Sequence, residues 1–247
     1  MKTIGKSWRR RIIYGIALYA IISVSIGAMM NSTSVAGLHG GPLPTEAETA
    51  VLQVYAARTW GKKGAFAVHT WIVTKRKDDV FYNRHEILGW KLRWSPSALR
   101  SQQLSPYDDL DWYGNPATLL ADHRGAGVET MIDRIEAAIA DYPYQNQYRI
   151  WPGPNSNTFT AYLGRAVPEL RLDLPATAIG KDYRPPGDII GRSASGTGLQ
   201  FSMLGVAGIS LGYEEGLEAN LLGLNFEWDI FDMAIELPVL GRVGYRQ

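Results

Sequence analysis

The chain has 247 residues, no cysteine and nearly balanced charge, with 25 Lys and Arg against 24 Asp and Glu. That length suits one domain of about two hundred residues plus an anchor. The missing cysteines exclude disulfides, thiolate metal sites and thiol nucleophiles, and the near-zero charge removes the basic footprint that nucleic-acid binding needs.

At the N-terminus Lys2, Lys6, Arg9, Arg10 and Arg11 precede an uncharged, mostly apolar run from Ile12 to Met30. As a helix this run spans roughly 28 Å, close to the hydrocarbon thickness of a bilayer. The next Lys or Arg after it is Arg58. The positive-inside rule therefore places the N-terminus in the cytoplasm and the rest of the chain outside. The expectation is a single-pass anchor over 1–30 in the cytoplasmic membrane, a Ser/Gly/Pro-rich linker over 31–45 and one exported, periplasmic α+β domain over 46–247. Ser34-Val35-Ala36 also has the small-residue spacing of a signal-peptide cleavage site before Gly37.

Within the domain, Thr45 and Glu48 form a capping-box pattern that predicts a short helix through Arg58. Ala65 to Thr74 reads as a strand. Phe66, Val68, Thr70 and Ile72 share one face, and Ala67, His69, Trp71 and Val73 share the other. A charged turn at Lys75–Asp79 predicts an antiparallel return strand over Val80–Trp90, carrying His85 and Glu86. From Ser95 to Gly127 the pattern breaks, and the segment reads as a long binding loop around the cluster Tyr107–Tyr113. Val128 to Tyr142 shows a three-and-four-residue apolar repeat and predicts a helix ended by Pro143. Gln145 to Trp151 reads as a strand. A Pro-Gly-Pro turn at 152–154 then opens a helix from Ser156 to about Ala166. After a Pro/Gly/Ser-rich loop over 183–198, β-type runs at 199–204, 209–213, 217–222 and 225–230 predict a β-meander.

The chemistry concentrates at two separated segments, His69-Thr70-Trp71-Ile72 and Asn155-Ser156-Asn157-Thr158-Phe159. Ser156 falls in the first turn of a helix, where unpaired N–H groups favour a developing oxyanion. A serine needs an adjacent base to act as nucleophile, and His69 is the candidate. His85 or Glu86 on the neighbouring strand would orient His69 as a third member. Asn155 or Asn157 would add an oxyanion donor. The same Asn-Ser pair is also what an ordinary helix start uses as a cap. Asp108, Asp109 and Asp111 match no ion-binding loop, so no metal is expected. Asp122-His123 reads as a loop hydrogen bond. No phosphate-binding loop, metalloprotease helix motif or Gly-x-Ser-x-Gly elbow is present, and no cofactor is expected.

His69 on an early strand followed by Asn155, Ser156 and Phe159 resembles the circularly permuted papain-like proteins. These include cell-wall peptidases and lecithin-retinol-acyltransferase-like enzymes. In them a histidine strand precedes an Asn-Cys-x-x-Phe helix start, and here Ser156 stands where they have cysteine. More of the chain resembles a bacterial membrane-anchored family of unknown function, through His69–Ile72, Gly89-Trp90, the segment 153–159 and the Gly-rich β tail. The resemblance implies a permuted papain-like domain, with an antiparallel sheet and a C-terminal β-meander, behind an N-terminal transmembrane helix. It leaves three readings open: a serine-type hydrolase or acyltransferase on an amide or ester, a non-catalytic envelope module binding cell-wall peptide or lipid, or an unrelated fold. A purely structural assembly role for the β tail would require an exposed apolar strand face within 199–230.

Overall fold

The computed structural model describes residue 14 and residues 48–106, 108, 110–229, 234–238 and 241–243. The chain divides into two compact units, Met1–Gly37 and Leu38–Gln247. Among the described residues no helix is long and apolar enough to cross a membrane. The anchor expected over 1–30, Tyr14 apart, and the linker over 31–45 lie outside the described residues.

Among the described residues two antiparallel sheets and two α-helices make the second unit α+β. The first sheet holds β1 (Val51–Arg58), β2 (Val68–Lys75), β3 (Tyr82–Ile87), β4 (Leu99–Leu104) and β5 (Thr118–Arg124), in the order β4-β3-β2-β1-β5. Helices α1 (Val128–Ala140) and α2 (Ser156–Ala166) cover one of its faces. There Leu52, Val54 and Ile72 of the sheet share a core with Ile132 and Ile135 of α1 and Phe159 of α2. The other face carries Tyr55, Trp71 and Val73 and is closed by Leu110, Trp112 and Ala117 from the segment between β4 and β5.

The helix expected before Arg58 is instead β1, the neighbour of β2. Every residue from Val51 to Ala57 is buried, because both faces of the sheet are covered. A strand buried on both sides loses the alternation that identifies a strand. The segment expected as one long loop, 95–127, contains β4 and β5. Both are partly exposed edge strands rich in polar residues, so neither shows an apolar stripe. The strand expected over 145–151 is irregular. Its backbone bonds go to other loops, Ala98 N to Gln145 O at 2.6 Å and Arg149 N to Pro154 O at 2.8 Å. Tyr148 there lies against Gly89, where a Cβ would meet its ring at 2.4 Å.

The second sheet is a meander of β6 (Ile190–Arg192), β7 (Leu199–Met203), β8 (Ala207–Gly212), β9 (Gly216–Leu221), β10 (Leu224–Asp229), β11 (Ala234–Leu237) and β12 (Gly241–Val243), each paired with its neighbours in sequence. The four runs expected over 199–230 fall on β7 to β10, within one or two residues at each end.

Candidate functional site

The start of α2 is fixed by two asparagines. Asn155 Oδ1 accepts from Asn157 N at 2.9 Å and Thr158 N at 3.2 Å. Thr158 Oγ1 accepts from Asn155 N at 3.1 Å, completing a capping box. The Asn155 amide donates to Ile150 O at 3.1 Å and Ile179 O at 3.0 Å. The Asn157 amide donates to Val68 O at 3.1 Å and Ile179 O at 2.9 Å. Each amide has only two N–H groups. Both are used on backbone carbonyls in each case, so neither asparagine has a donor left for an oxyanion. Gly180 allows this arrangement, because a Cβ there would stand 2.4 Å from Asn155 Nδ2.

Strand alternation separates Ser156 from His69. Thr70 faces α2, with its hydroxyl 3.0 Å from Asn157 Oδ1 and 2.8 Å from Thr160 Oγ1. His69 precedes it and points to the opposite face of the sheet, beside Trp71 and Trp112. Ser156 is buried, and its hydroxyl makes no hydrogen bond among the described residues. The serine and the expected base are therefore not brought together.

Glu86, one of the two expected orienting residues, does meet His69. Its Oε2 lies 2.6 Å from His69 Nε2. Arg84 pairs with the same carboxylate at 2.9 Å, and Arg100 Nε at 2.9 Å. Burial alone would raise the Glu86 pKa. The His69 hydrogen bond and the two guanidinium groups outweigh it and hold the carboxyl down to about 2. Burial lowers the His69 pKa despite Glu86. The ring is thus neutral, and its Nε2–H donates to an ionised Glu86. Trp112 stacks on that ring with centroids 3.8 Å apart, and the Arg84 guanidinium lies 4.1 Å over Trp71. This buried His–Glu pair has the form of a base and its orienter, but α2 and its serine lie across the sheet.

His85, the other candidate orienter, is in register with Ile72 and so faces the helices. Its Nδ1 lies 2.8 Å from Ser101 Oγ, and burial lowers its pKa. Asp122 and His123 lie on β5 and not in the loop expected there: His123 Nε2 is 3.0 Å from Leu170 O, and Asp122 accepts from Gln53 and Arg124. No cluster of three or more potential metal ligands occurs among the described residues.

The sequence reading missed a cleft of about 470 Å³ on the far side of α2. Tyr144, Tyr162 and Tyr183 line it together with Arg165, Arg184 and Asp188. Burial and the nearby Arg184 lower the Arg165 pKa to about 10, which leaves it charged at neutral pH. Its Nε and Nη2 bond to Arg192 O, Lys181 O and Gln200 Oε1 at 3.0–3.1 Å. Nη1 makes no hydrogen bond among the described residues. Only the recurrence of Thr158, Tyr162 and Arg165 along one face of the helix hints at this cleft in the sequence.

Asn155→Ala should destabilise the domain by about 2–3 kcal/mol, through loss of the cap and of the amide donor to Ile150 O, while Ile179 O keeps the Asn157 amide. Ser156→Ala should change stability by less than about 1 kcal/mol, because its hydroxyl holds nothing. Denaturant midpoints of the two variants measure the contrast.

A family model described as "Protein of unknown function (DUF3750)" matches residues 49–183, more than half of the chain. That span includes both sheet strands of the His–Glu pair and the whole of α2. Searches of curated proteins and of solved structures return no match.

Proposed function

Starting from the fact that the chain belongs to the DUF3750 family of proteins of unknown function, we propose that it is a non-catalytic binding module of the cell envelope. In this reading residues 1–30 anchor it to the cytoplasmic membrane, the domain stands on the periplasmic side, and the frame is a papain-like one that has lost its catalytic pair. Its ligand is a carboxylate-bearing peptide of the kind found in the cell wall, held in the cleft beside α2. The observation that carries the loss of catalysis is the segregation of Ser156 and His69 onto opposite faces of the first sheet. A seryl nucleophile needs its base within hydrogen-bond reach. Thr70, and not His69, occupies the position facing α2.

The ligand class follows from the cleft. The Nη1 edge of the half-buried Arg165 is a charged donor on the cleft wall, and such a group favours a carboxylate over a neutral acceptor. Tyr144, Tyr162 and Tyr183 offer flat apolar surfaces with polar rims on either side.

Two measurements test this reading. A fluorophosphonate probe should leave Ser156 unlabelled. Labelling that His69→Ala abolishes would restore the hydrolase assignment. Wall stem peptides with a free terminal carboxylate should bind about tenfold more tightly than their carboxamides, the difference expected of one charge-assisted pair. Equal affinity, or no dependence on Tyr162→Ala, would remove the cleft from the reading.

A further inference from the structure

The meander is built inside out. Its strands alternate as half-buried strands should, but with the polarity reversed. Every outward position within β7, β8, β9 and β10 is Leu, Ile, Met, Phe, Trp or Ala. Leu199, Leu211 and Leu221 are 61–69% exposed, and Ile209 is 51% exposed. Ile235 on β11 and Val243 on β12 extend the same face through the register pairs Trp228↔Ile235 and Ile235↔Val243. The inward positions are Gln, Ser, Gly, Glu, Asn and Asp. They are held by a buried polar network. Gln200, Asn220 and Asn225 all donate to the Asp182 carboxylate, at 2.7–2.9 Å. Lys181 Nζ lies 2.9 Å from Glu218. Hydrogen bonds and ion pairs therefore attach this sheet to the domain, and its apolar face has nothing to bury against among the described residues.

The turns at one end of the meander continue that surface. Leu204-Gly205 and Leu222-Gly223 both take positive φ, 57° and 71° in the first turn and 56° and 78° in the second. Hairpin turns of this kind favour Asn, Asp or Gly at their first central position, and a leucine in the left-handed region costs about 1–2 kcal/mol. Nothing in the turns themselves calls for leucine. Both side chains are exposed, at 41% and 62%. The turns touch, Leu222 N donating to Val206 O, and the half-exposed Trp151 donates from its indole to Leu222 O at 3.0 Å. Apolar residues thus occupy the tips even where backbone geometry disfavours them.

We infer that this face, with its leucine tips, rests on the hydrocarbon boundary of a lipid bilayer, giving the domain a membrane contact of its own apart from the N-terminal run. Three observations select lipid as the occupant. First, the outward positions of β7 to β10 include no polar side chain. Protein interfaces carry about one hydrogen bond per 100–200 Å², whereas hydrocarbon asks for none. Second, the turn tips that border the face at one end are Leu204 and Leu222, 41% and 62% exposed, whereas the border of a protein interface is polar. Third, apolar-out and polar-in is the pattern of lipid-facing strands. The strands here are shorter than the nine to eleven residues or so that span a bilayer, and among the described residues the sheet has two open edges. It therefore lies against one leaflet and does not cross.

The full chain, reconstituted in vesicles of phosphatidylethanolamine and phosphatidylglycerol, tests this. The sequence has no cysteine, so Ile209→Cys, Leu221→Cys and, as a control on the exposed side of α1, Ala137→Cys each carry one environment-sensitive fluorophore. At 209 and 221 the emission should shift to the blue, and lipids spin-labelled on their acyl chains should quench it about twofold or more; at 137 neither should occur. Quenching by aqueous iodide at 209 and 221, with none by lipid, would overturn the inference. So would shielding from both quenchers. In that case a disulfide between the 209 positions of two protomers would assign the face to a second copy. A disulfide between Ile209→Cys and Ala20→Cys would assign it to the chain's own N-terminal run.

Discussion

Replacing Glu86 by Ala should destabilise the domain by about 3–5 kcal/mol, the range for removing one partner of a buried ion pair. Glu86 is fully buried and is the common partner of His69, Arg84 and Arg100. Arg84 is itself 5% exposed, so its guanidinium would be left charged between Trp71 and Trp112 with no counterion on that carboxylate. Glu86→Gln keeps an acceptor for the His69 Nε2–H and should recover about 1 kcal/mol of the loss. The pH dependence follows from the depressed carboxyl. Its folded pKa is about 2, against an ordinary value of 4.5. The stabilisation is therefore complete above about pH 4.5 and is lost as pH falls toward 2. The neutral His69 adds a loss in the same direction below its ordinary pKa, since acid charges it in the unfolded chain first. Guanidinium midpoints followed by tryptophan fluorescence should show a large Glu86→Ala deficit at pH 7 that shrinks at pH 3. A deficit under about 1 kcal/mol at pH 7 would mean that the aromatic stack, and not the carboxylate, holds the cluster.

The same residues show how far the sequence could be read. The two faces of β2 were legible from alternation alone, down to the separation of Thr70 from His69. Which face receives α2 was not. That depends on Asn157 reaching Thr70 and the Val68 carbonyl, contacts 87 and 89 positions apart in the chain. The histidine and serine segments look paired because both are distinctive, and distinctiveness carries no information about side. The neighbouring strand was legible as the source of a partner for His69, but the choice of Glu86 over His85 rests on register, which the sequence leaves open; Arg84 and Arg100 were missed because charges on strands usually read as solvent-facing. β1 was misread because Ala, Leu and Gln suit a helix, and burial on both faces erased its period. α1 and α2 were legible from the apolar repeat, the Pro143 stop and the Asn155 cap. In the meander the alternation located the strands, but alternation is symmetric. It cannot say whether the apolar or the polar set faces inward, and the buried Asp182 and Lys181 that decide it come from a loop before the sheet begins.

Lys181→Met should destabilise the domain by about 3–5 kcal/mol near pH 8, and the penalty should shrink on acidification. Lys181 is fully buried, with Nζ 2.6 Å from Leu174 O, 2.9 Å from Glu218 and 3.9 Å from Glu227. Burial raises the Glu218 pKa to about 8 despite Lys181. Burial and the nearby Asp173 raise that of Glu227 to about 10. The native cluster thus holds protons that the unfolded chain releases above about pH 4.5. Stability from these two carboxyls is full below that pH and is lost as pH rises through 8 and 10. The Lys181 ammonium, whose own pKa is raised well above its ordinary value by the same carboxylates against its burial, limits that loss across the neutral range. Without it the carboxyls must either ionise unpaired or take up further protons. The first is costly above neutrality, and the second costs little at pH 5, close to the ordinary carboxyl value of 4.5. Combining Lys181→Met with Glu218→Gln and Glu227→Gln should recover most of the loss at pH 8, because a neutral site has no charge left to desolvate. Thermal or denaturant midpoints of the single and triple variants at pH 5 and pH 8 measure both effects. A Lys181→Met penalty that stays equal at the two pH values would show that the ammonium acts through its bond to Leu174 O and not through the glutamates. The cluster lies beneath the apolar face, so loosening it at pH 8 should also reduce lipid quenching at Ile209 before the first sheet unfolds.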